Sequence, residues 1–462
     1  MKPQNTIPQL RIGRRRSLLS RYRDTLFAQL YNFYNEYSTG RACILWNNVL
    51  SGICSIFISG TFYTAFLMEN GIDIVQLGVI SFIPYISWVF NLFTPKLYSR
   101  IKRRRFWLLF SNIFYNSCVI LGTTLMPKFV TDTGARTIWF AVLLLLGNSV
   151  NALLGGGAAI WHLKFLPKRD DHRSFHLSIV YFVSNLFSTV PALGAAFLAD
   201  ALAGSPAQGR IITILRYVSF ELAVLNALQL YLIPKEYPYD ITPGQKLRDV
   251  FTVPLKNRKF LQTILIAILW QLISNLTFNT FSYYLLDTVH VSYALTYTGS
   301  LTCVISSLFL MPAWNKAVRH FGWFKVMLFN CLLIALSDVF GMLTTENTVY
   351  MYVISSVLYG LNLLGAQKSL AQMLYINLPK KDADLYNTFY NFVLYLGILV
   401  GSMLGTWALS ALQSADGTLS LFGLQLWPMQ LLTGIRCIGF LLLALYVYRM
   451  EPHLQPDADI TA

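Results

Sequence analysis

The chain has 462 residues, of which 55% are hydrophobic and only 12% charged, with a formal net charge of +15 at pH 7. Water-soluble domains carry about 25% charge, so this composition excludes a soluble globular protein and points to membrane-embedded segments. The basicity alone would suit a nucleic-acid partner, but its placement along the chain excludes that reading.

Residues 1–42 are polar, and Arg14, Arg15 and Arg16 precede Leu19, Tyr22, Leu26, Leu30 and Phe33 at helical spacing. This predicts a basic amphipathic helix over 16–37 lying on anionic lipid, against a mobile tail with chance periodicity. No cleavable signal peptide is expected, because so long a polar stretch precedes the first apolar run. Apolar runs then predict twelve spans at 43–69, 73–95, 106–126, 137–163, 174–199, 214–234, 260–286, 291–313, 325–343, 349–377, 385–411 and 428–449. Lipid offers the backbone no water to bond, so the spans are helices and the fold is an all-α polytopic membrane protein. Lys235 to Lys259 is the only long polar interruption between spans. It divides an N-terminal six-helix bundle, 43–234, from a C-terminal one, 260–449, with a tail at 450–462.

Charge sets the topology. Thirty of the 36 Lys and Arg residues fall on one side, in the two terminal segments and the alternate loops. The opposite loops are assigned only Lys128, Arg136, Arg210 and Arg216, while Lys368 and Arg436 lie inside spans. The asymmetry predicts a plasma (inner) membrane protein with both termini and the 235–259 loop in the cytosol.

The two halves repeat each other. Between spans two and three, Pro95 to Phe106 holds Lys96, Arg100, Lys102, Arg103, Arg104 and Arg105. Between spans eight and nine, Pro312 to Lys325 is a fainter copy with Lys316 and Arg319. Leu166-Pro167-Lys168-Arg169-Asp170 after span four matches Leu378-Pro379-Lys380-Lys381-Asp382 after span ten. Leu45-Trp46 pairs with Leu269-Trp270, and the Val190 to Gly194 stretch of span five with Gly401 to Gly405 of span eleven. The order of the matches predicts two parallel, pseudo-symmetric six-helix bundles.

Twelve spans in two such halves, with basic turns after spans two and eight, resemble the major facilitator superfamily of secondary transporters. The resemblance covers about 43–449. The family signature, Gly-x-Leu-Ala-Asp-Arg-x-Gly-Arg-Arg, is met here by Pro95 to Arg104, which keeps Leu97, Arg100, Arg103 and Arg104. It lacks the opening Gly, and Ser99 replaces the acidic residue of the usual gating contact. The resemblance implies transport by alternating access, with Leu97, Arg100, Arg103, Arg104 and Arg319 in the gating loops.

Other chemistry is absent from the pattern. Gly360 to Ser369 has the wrong spacing for a phosphate loop and lies inside an apolar span. Asp170, Asp171, His172 and His176 could be imagined around a metal, but the repeat keeps no His, so a topology-setting turn is favoured. The six cysteines show no paired spacing. No enzyme activity, metal or cofactor is expected, and the expected state is a monomer.

Polar side chains cluster on the spans that, by the resemblance, line a central cavity. The candidate solute contacts are Trp46, Asn47, Asn151, Trp270, Gln271, Asn275, Asn279, Asn362, Gln367, Lys368, Asn391 and Tyr395. Amides facing lipid are costly, and amide and aromatic walls suit a small polar organic solute; plain inter-helix bonding is the alternative. A lipid-modifying enzyme, or a transport-inactive sensor or scaffold of the same fold, are the other functions considered. Lys368, near mid-span, is expected to face the cavity. Asp338 on span nine and Arg436 on span twelve reach nearly the same depth, which predicts a structural ion pair.

Overall fold

The computed structural model describes residues 25–98, 100–167, 169–205, 207–233, 248–379, 383–414, 419–421 and 424–454. Its helices of eight or more residues are α1 (Glu36–Ser55), α2 (Gly60–Glu69), α3 (Ile74–Ser87), α4 (Arg104–Asn116) and α5 (Thr133–Val150). There follow α6 (Gly157–Phe165), α7 (Asp170–Ala201), α8 (Ala207–Leu228), α9 (Arg258–Ser274) and α10 (Phe278–Asp287). The last five are α11 (Thr298–Phe309), α12 (Met311–Met342), α13 (Val349–Ile376), α14 (Ala383–Ser414) and α15 (Pro428–Leu454).

Among the described residues, ten helical stretches are long and apolar enough to cross a membrane. The seventh and eighth expected spans are broken: α9 and α10 part at 275–277, and α11 gives way to α12 at Leu310. The architecture is consistent with twelve. The first span is broken too, at 56–59 between α1 and α2. Spans three and four each contain a π-helical stretch, Ser117–Gly122 and Asn151–Gly155, where one extra residue is inserted and carbonyls lose their regular partners. The one departure from an all-α fold among the described residues is a small antiparallel hairpin between α14 and α15, β1 (Leu419–Leu421) and β2 (Leu424–Leu426).

Buried apolar residues gather in separate clusters in the two halves. One surrounds Phe62, Phe66, Leu77, Phe140 and Ile212, another Phe260, Met327, Phe440 and Val447. The stretch expected to join them falls largely on 234–247, outside the described residues. The halves touch through spans one and eight, where Phe62 stacks on Tyr293 with centroids 5.5 Å apart and also meets Tyr297. Beside them the Asp200 carboxylate, at the end of α7, accepts from the backbone N–H of Tyr293 and Ala294 at 2.8 and 2.9 Å. One half thus caps a helical turn of the other. Spans two and eleven meet where Trp88 stacks on Tyr395 at 4.0 Å.

Glycine explains the close fit of span eleven. A Cβ at Gly401 or Gly405 would overlap the backbone carbonyls of Leu272 and Leu276, and one at Gly397 would stand 3.0 Å from the Ile268 carbonyl oxygen. The four-residue spacing therefore lets α14 lie directly on the backbone of span seven.

Three expectations need correction. A continuous helix over 16–37 does not form: Leu26–Leu30 is a separate turn of helix, Phe33 adopts φ 58°, and α1 starts at Glu36 behind the Asn35 cap. The cause is docking, since Leu30 and Tyr31 are buried and the Tyr31 hydroxyl shares a 2.7 Å hydrogen bond with His176 Nδ1. Burial pushes that hydroxyl up to about 12, against the lowering effect of Arg41, so it is neutral. Residues 16–24 lie outside the described residues. Second, Pro312 to Phe321 is helical rather than a loop, and the helix is kinked at Gly322, whose φ of 81° favours a residue without Cβ. Third, Arg216 is no loop residue; it stands fully buried in the third turn of α8.

Candidate functional site

A cavity of about 240 Å³ lies within the N-terminal half, lined also by Phe278 from α10 of the other half. Its polar wall is Ser59, Tyr63, Ser81, Tyr85, Tyr115 and Asn148. The break in span one places Ser59 there, and Pro84 inside α3 stands between Ser81 and Tyr85 on the same wall. Tyr63 is 5% exposed, and its hydroxyl has no hydrogen-bond partner among the described residues. Among the described residues no carboxylate, histidine or thiol lines the cavity. The wall can donate and accept hydrogen bonds and stack rings, but it holds no nucleophile–base pair.

Behind Tyr63 lies Arg216, with Tyr63 and Phe66 rings 5.7 and 4.0 Å from its guanidinium carbon. Nε donates to Thr124 Oγ1 at 2.8 Å, and Nη2 to Thr123 Oγ1 at 2.7 Å and the Val119 carbonyl at 3.2 Å. Nη1 donates to the Phe57 carbonyl, freed by the break in span one. Val119 belongs to the π-helical stretch of span three. Every acceptor is neutral, and among the described residues no carboxylate touches this cation.

The C-terminal half holds a counterpart. Arg436, in the third turn of α15, donates from Nε to Asp338 Oδ2 at 3.0 Å and from Nη2 to Asp338 Oδ1. Its Nη1 donates to Thr277 Oγ1, at the break of span seven. The two arginines sit alike, each facing a helix break. One has a carboxylate on the partner helix and the other has hydroxyls and carbonyls.

The predicted contacts do not converge on one pocket. Trp270 is 6% exposed and packs edge-on to Phe440 in the C-terminal core, centroids 4.9 Å apart, so it faces no open space. Asn275 is buried at the span-seven break and bonds back to the Gln271 carbonyl at 2.7 Å. Half-buried Gln271 lies by Gly397 of α14. Asn362 donates to the Asn330 carbonyl at 3.1 Å, while its Oδ1 and both amide atoms of buried Asn330 lack partners among the described residues. Trp46 and Gln367 are exposed, and Asn47 accepts from Gln229 at 3.2 Å. Asn151 lies beside Gly155 in the π-helical stretch, and exposed Asn391 bonds to the Asn387 carbonyl. Tyr395 is held by Trp88. The side chains of Asn279, Lys368 and Arg319 lie outside those described.

Sequence reading missed Ser81, Tyr85 and Tyr115 because it left spans two and three out of the cavity wall, and Tyr63 because on span one it weighed Trp46 and Asn47 instead. The signal that could have found them is a row of tyrosines on adjacent spans with no interfacial position to explain it.

Residues 45–402 match the profile of the Major Facilitator Superfamily. The chain belongs to that superfamily. Among solved structures it resembles a point mutant of the nucleoside transporter NupG, with TM-score 0.62 at 13% identity over 90% of this chain and 100% of that one. A POT family transporter in complex with 5-aminolevulinic acid gives 0.64 at 12%, covering 92% and 98%. A point mutant of the E. coli fucose:proton symporter FucP gives 0.55 at 11%, covering 89% and 98%. No curated protein matches. Identities this low carry the fold and not the solute.

As a member of the superfamily, the chain is a secondary transporter, and the described residues around its first basic loop bond to spans three, four and six of the same half. The Tyr98 hydroxyl donates to the Leu154 carbonyl, and Thr94 to those of Ala152 and Leu153 at 3.0 Å. These carbonyls belong to the π-helical stretch of span four. Arg105 donates to the Ile233 carbonyl at 2.7 Å, and Arg104 to that of Tyr98 at 3.5 Å. Leu97 is half-buried; Arg100 and Arg103 are exposed. Neutral donors on one span and loosened carbonyls on another thus tie this loop to its own half.

Proposed function

We propose that the chain moves a small polar organic solute across the plasma membrane by alternating access, with both termini cytosolic and no enzymatic step. The observation that carries this reading is the cavity of hydroxyls and one amide in a superfamily transporter, lined mainly by one half and also by Phe278 of the other. A site bounded by both halves is remade whenever they rock, which couples binding to movement. The basic loops support the orientation: with Arg216 withdrawn from the loops, only Lys128, Arg136 and Arg210 remain opposite them. The N-terminal segment, with anionic lipid as its partner, belongs to the same reading, as does a monomer.

Two measurements test it. Purified protein in liposomes is offered labelled neutral, anionic and cationic solutes of nucleoside, sugar and amino-acid type; saturable uptake of one or more is expected. No uptake of any, from folded protein, would favour a sensor or scaffold. For orientation, an impermeant thiol reagent outside intact cells should label a cysteine at Thr131 and spare one at Lys256; the reverse would invert the topology.

A further inference from the structure

The two buried arginines differ in one respect that reaches the cavity. Arg436 is neutralised by Asp338, which is 0% exposed, within the C-terminal bundle. Arg216 is more fully withdrawn from water than Arg436, at 0% exposed against 15% for the Arg436 side chain, and has no such partner among the described residues. Neutral acceptors satisfy its N–H groups, but dipoles leave the charge itself uncancelled. A charge fully withdrawn from water, in a medium of low dielectric, acts over a long range. The cavity adjoins this charge, since its wall shares Tyr63 and Val119 with the shell of Arg216. Tyr63 links the two: it lines the cavity, its ring lies 5.7 Å from the guanidinium carbon, and its buried hydroxyl has no partner among the described residues. No acidic group among the described wall residues opposes the field.

We propose that Arg216 makes the cavity of the N-terminal half attract an anionic group, a carboxylate or phosphate carried by the solute. This rests on reading the cavity as the solute's. Arg216 acts from behind the wall, as a positioning charge, because its own N–H groups are already engaged.

The test measures the field and needs no known solute. In a variant with the native cysteines replaced by serine, Ser81→Cys places a thiol on the wall. Its reaction rates with an anionic sulfonatoethyl and a cationic trimethylammonioethyl methanethiosulfonate are compared, since their ratio cancels the thiol's own reactivity. The anionic reagent should be favoured relative to a cysteine at exposed Thr131, by about tenfold for a unit charge acting across roughly 10 Å of protein. Thr124→Asp then supplies Arg216 with the carboxylate its counterpart has, in place of a hydroxyl that already accepts from Nε. It should remove the anionic preference while the protein keeps its elution profile and melting temperature. Thr123→Asp serves the same purpose if Thr124→Asp does not fold. An unchanged ratio in a folded acid variant, a cationic preference in the parent, or a thiol reached by neither reagent would overturn the proposal. Liposome uptake read in parallel separates the two readings. A ratio that shifts in a protein that transports nothing removes only the transporter reading; uptake with no shift removes only the role of Arg216.

Discussion

Asp338 and Arg436 were legible because both are charged residues in otherwise apolar runs, and helical rise alone puts them at one depth. Arg216 was not, because the expected span began at 214, seven residues after the helix does, and a cation so close to its end was counted with the loops. Its partners could not be read at all, since they include carbonyls released by a helix break and a π-helical stretch. The ion pair yields the sharper stability prediction. Arg436→Leu leaves Asp338 buried and uncompensated, a loss of about 3 kcal/mol or more, whereas replacing both residues by leucine removes charge and need together. Thermal unfolding in detergent should therefore show the single variant well below the parent and the double variant close to it. Equal losses in both would make the pair more than a neutral filling of the core. Lys368 belongs to this scale as well. Lys368→Gln should change the rate or selectivity of uptake while insertion and melting temperature persist; unchanged kinetics would take Lys368 off the solute's path.

At the scale of elements, hydropathy located the spans but not their interruptions. The breaks at 56–59 and 275–277 carry only Ser59-Gly60 and Asn275-Leu276-Thr277, short polar steps of a kind that also occurs inside unbroken helices, such as Ser355-Ser356, so they do not by themselves mark a break. Yet they supply the Phe57 carbonyl and the Thr277 hydroxyl that hold the two arginines. Glycine spacing was more readable. Gly397, Gly401 and Gly405 recur every four residues, and the structure lays that face on the backbone of span seven. The repeat that paired Gly194 with Gly405 misleads on use, because a Cβ at Gly194 would meet nothing within 4 Å. The pair predicts opposite outcomes for similar changes. Gly401→Val must push α14 off α9 and should cost several kcal/mol or prevent folding, as overpacking and lost helix contact add together. Gly194→Ala should be neutral or stabilising by about 0.5–1 kcal/mol, through helix propensity alone. Melting temperatures of the two variants decide; a stable Gly401→Val would show that α14 does not depend on this contact.

For the whole molecule, charge counting and the repeats showed the class of protein and the two halves, while the cross-half contacts stayed invisible. Asp200 illustrates why. In the sequence it is one acid near the end of span five; in the structure its carboxylate receives two backbone N–H groups from the other half, beside the Phe62–Tyr293 stack. This is a helix cap made between bodies that must separate if access alternates, on the face away from the basic loops. A cap of this kind is worth about 1 kcal/mol, which shifts a two-state balance by about fivefold. Asp200→Ala should accordingly populate a form open on that face, without unfolding either half, since each keeps its own core. Spin labels at exposed Thr131 and Glu346, one on each half, would report it as a longer component in the distance distribution, growing about fivefold relative to the parent. Asp200→Asn retains one acceptor oxygen and should fall between. If all three proteins give one unchanged distance, the aromatic contacts alone hold that face closed, and Asp200 does not govern its opening.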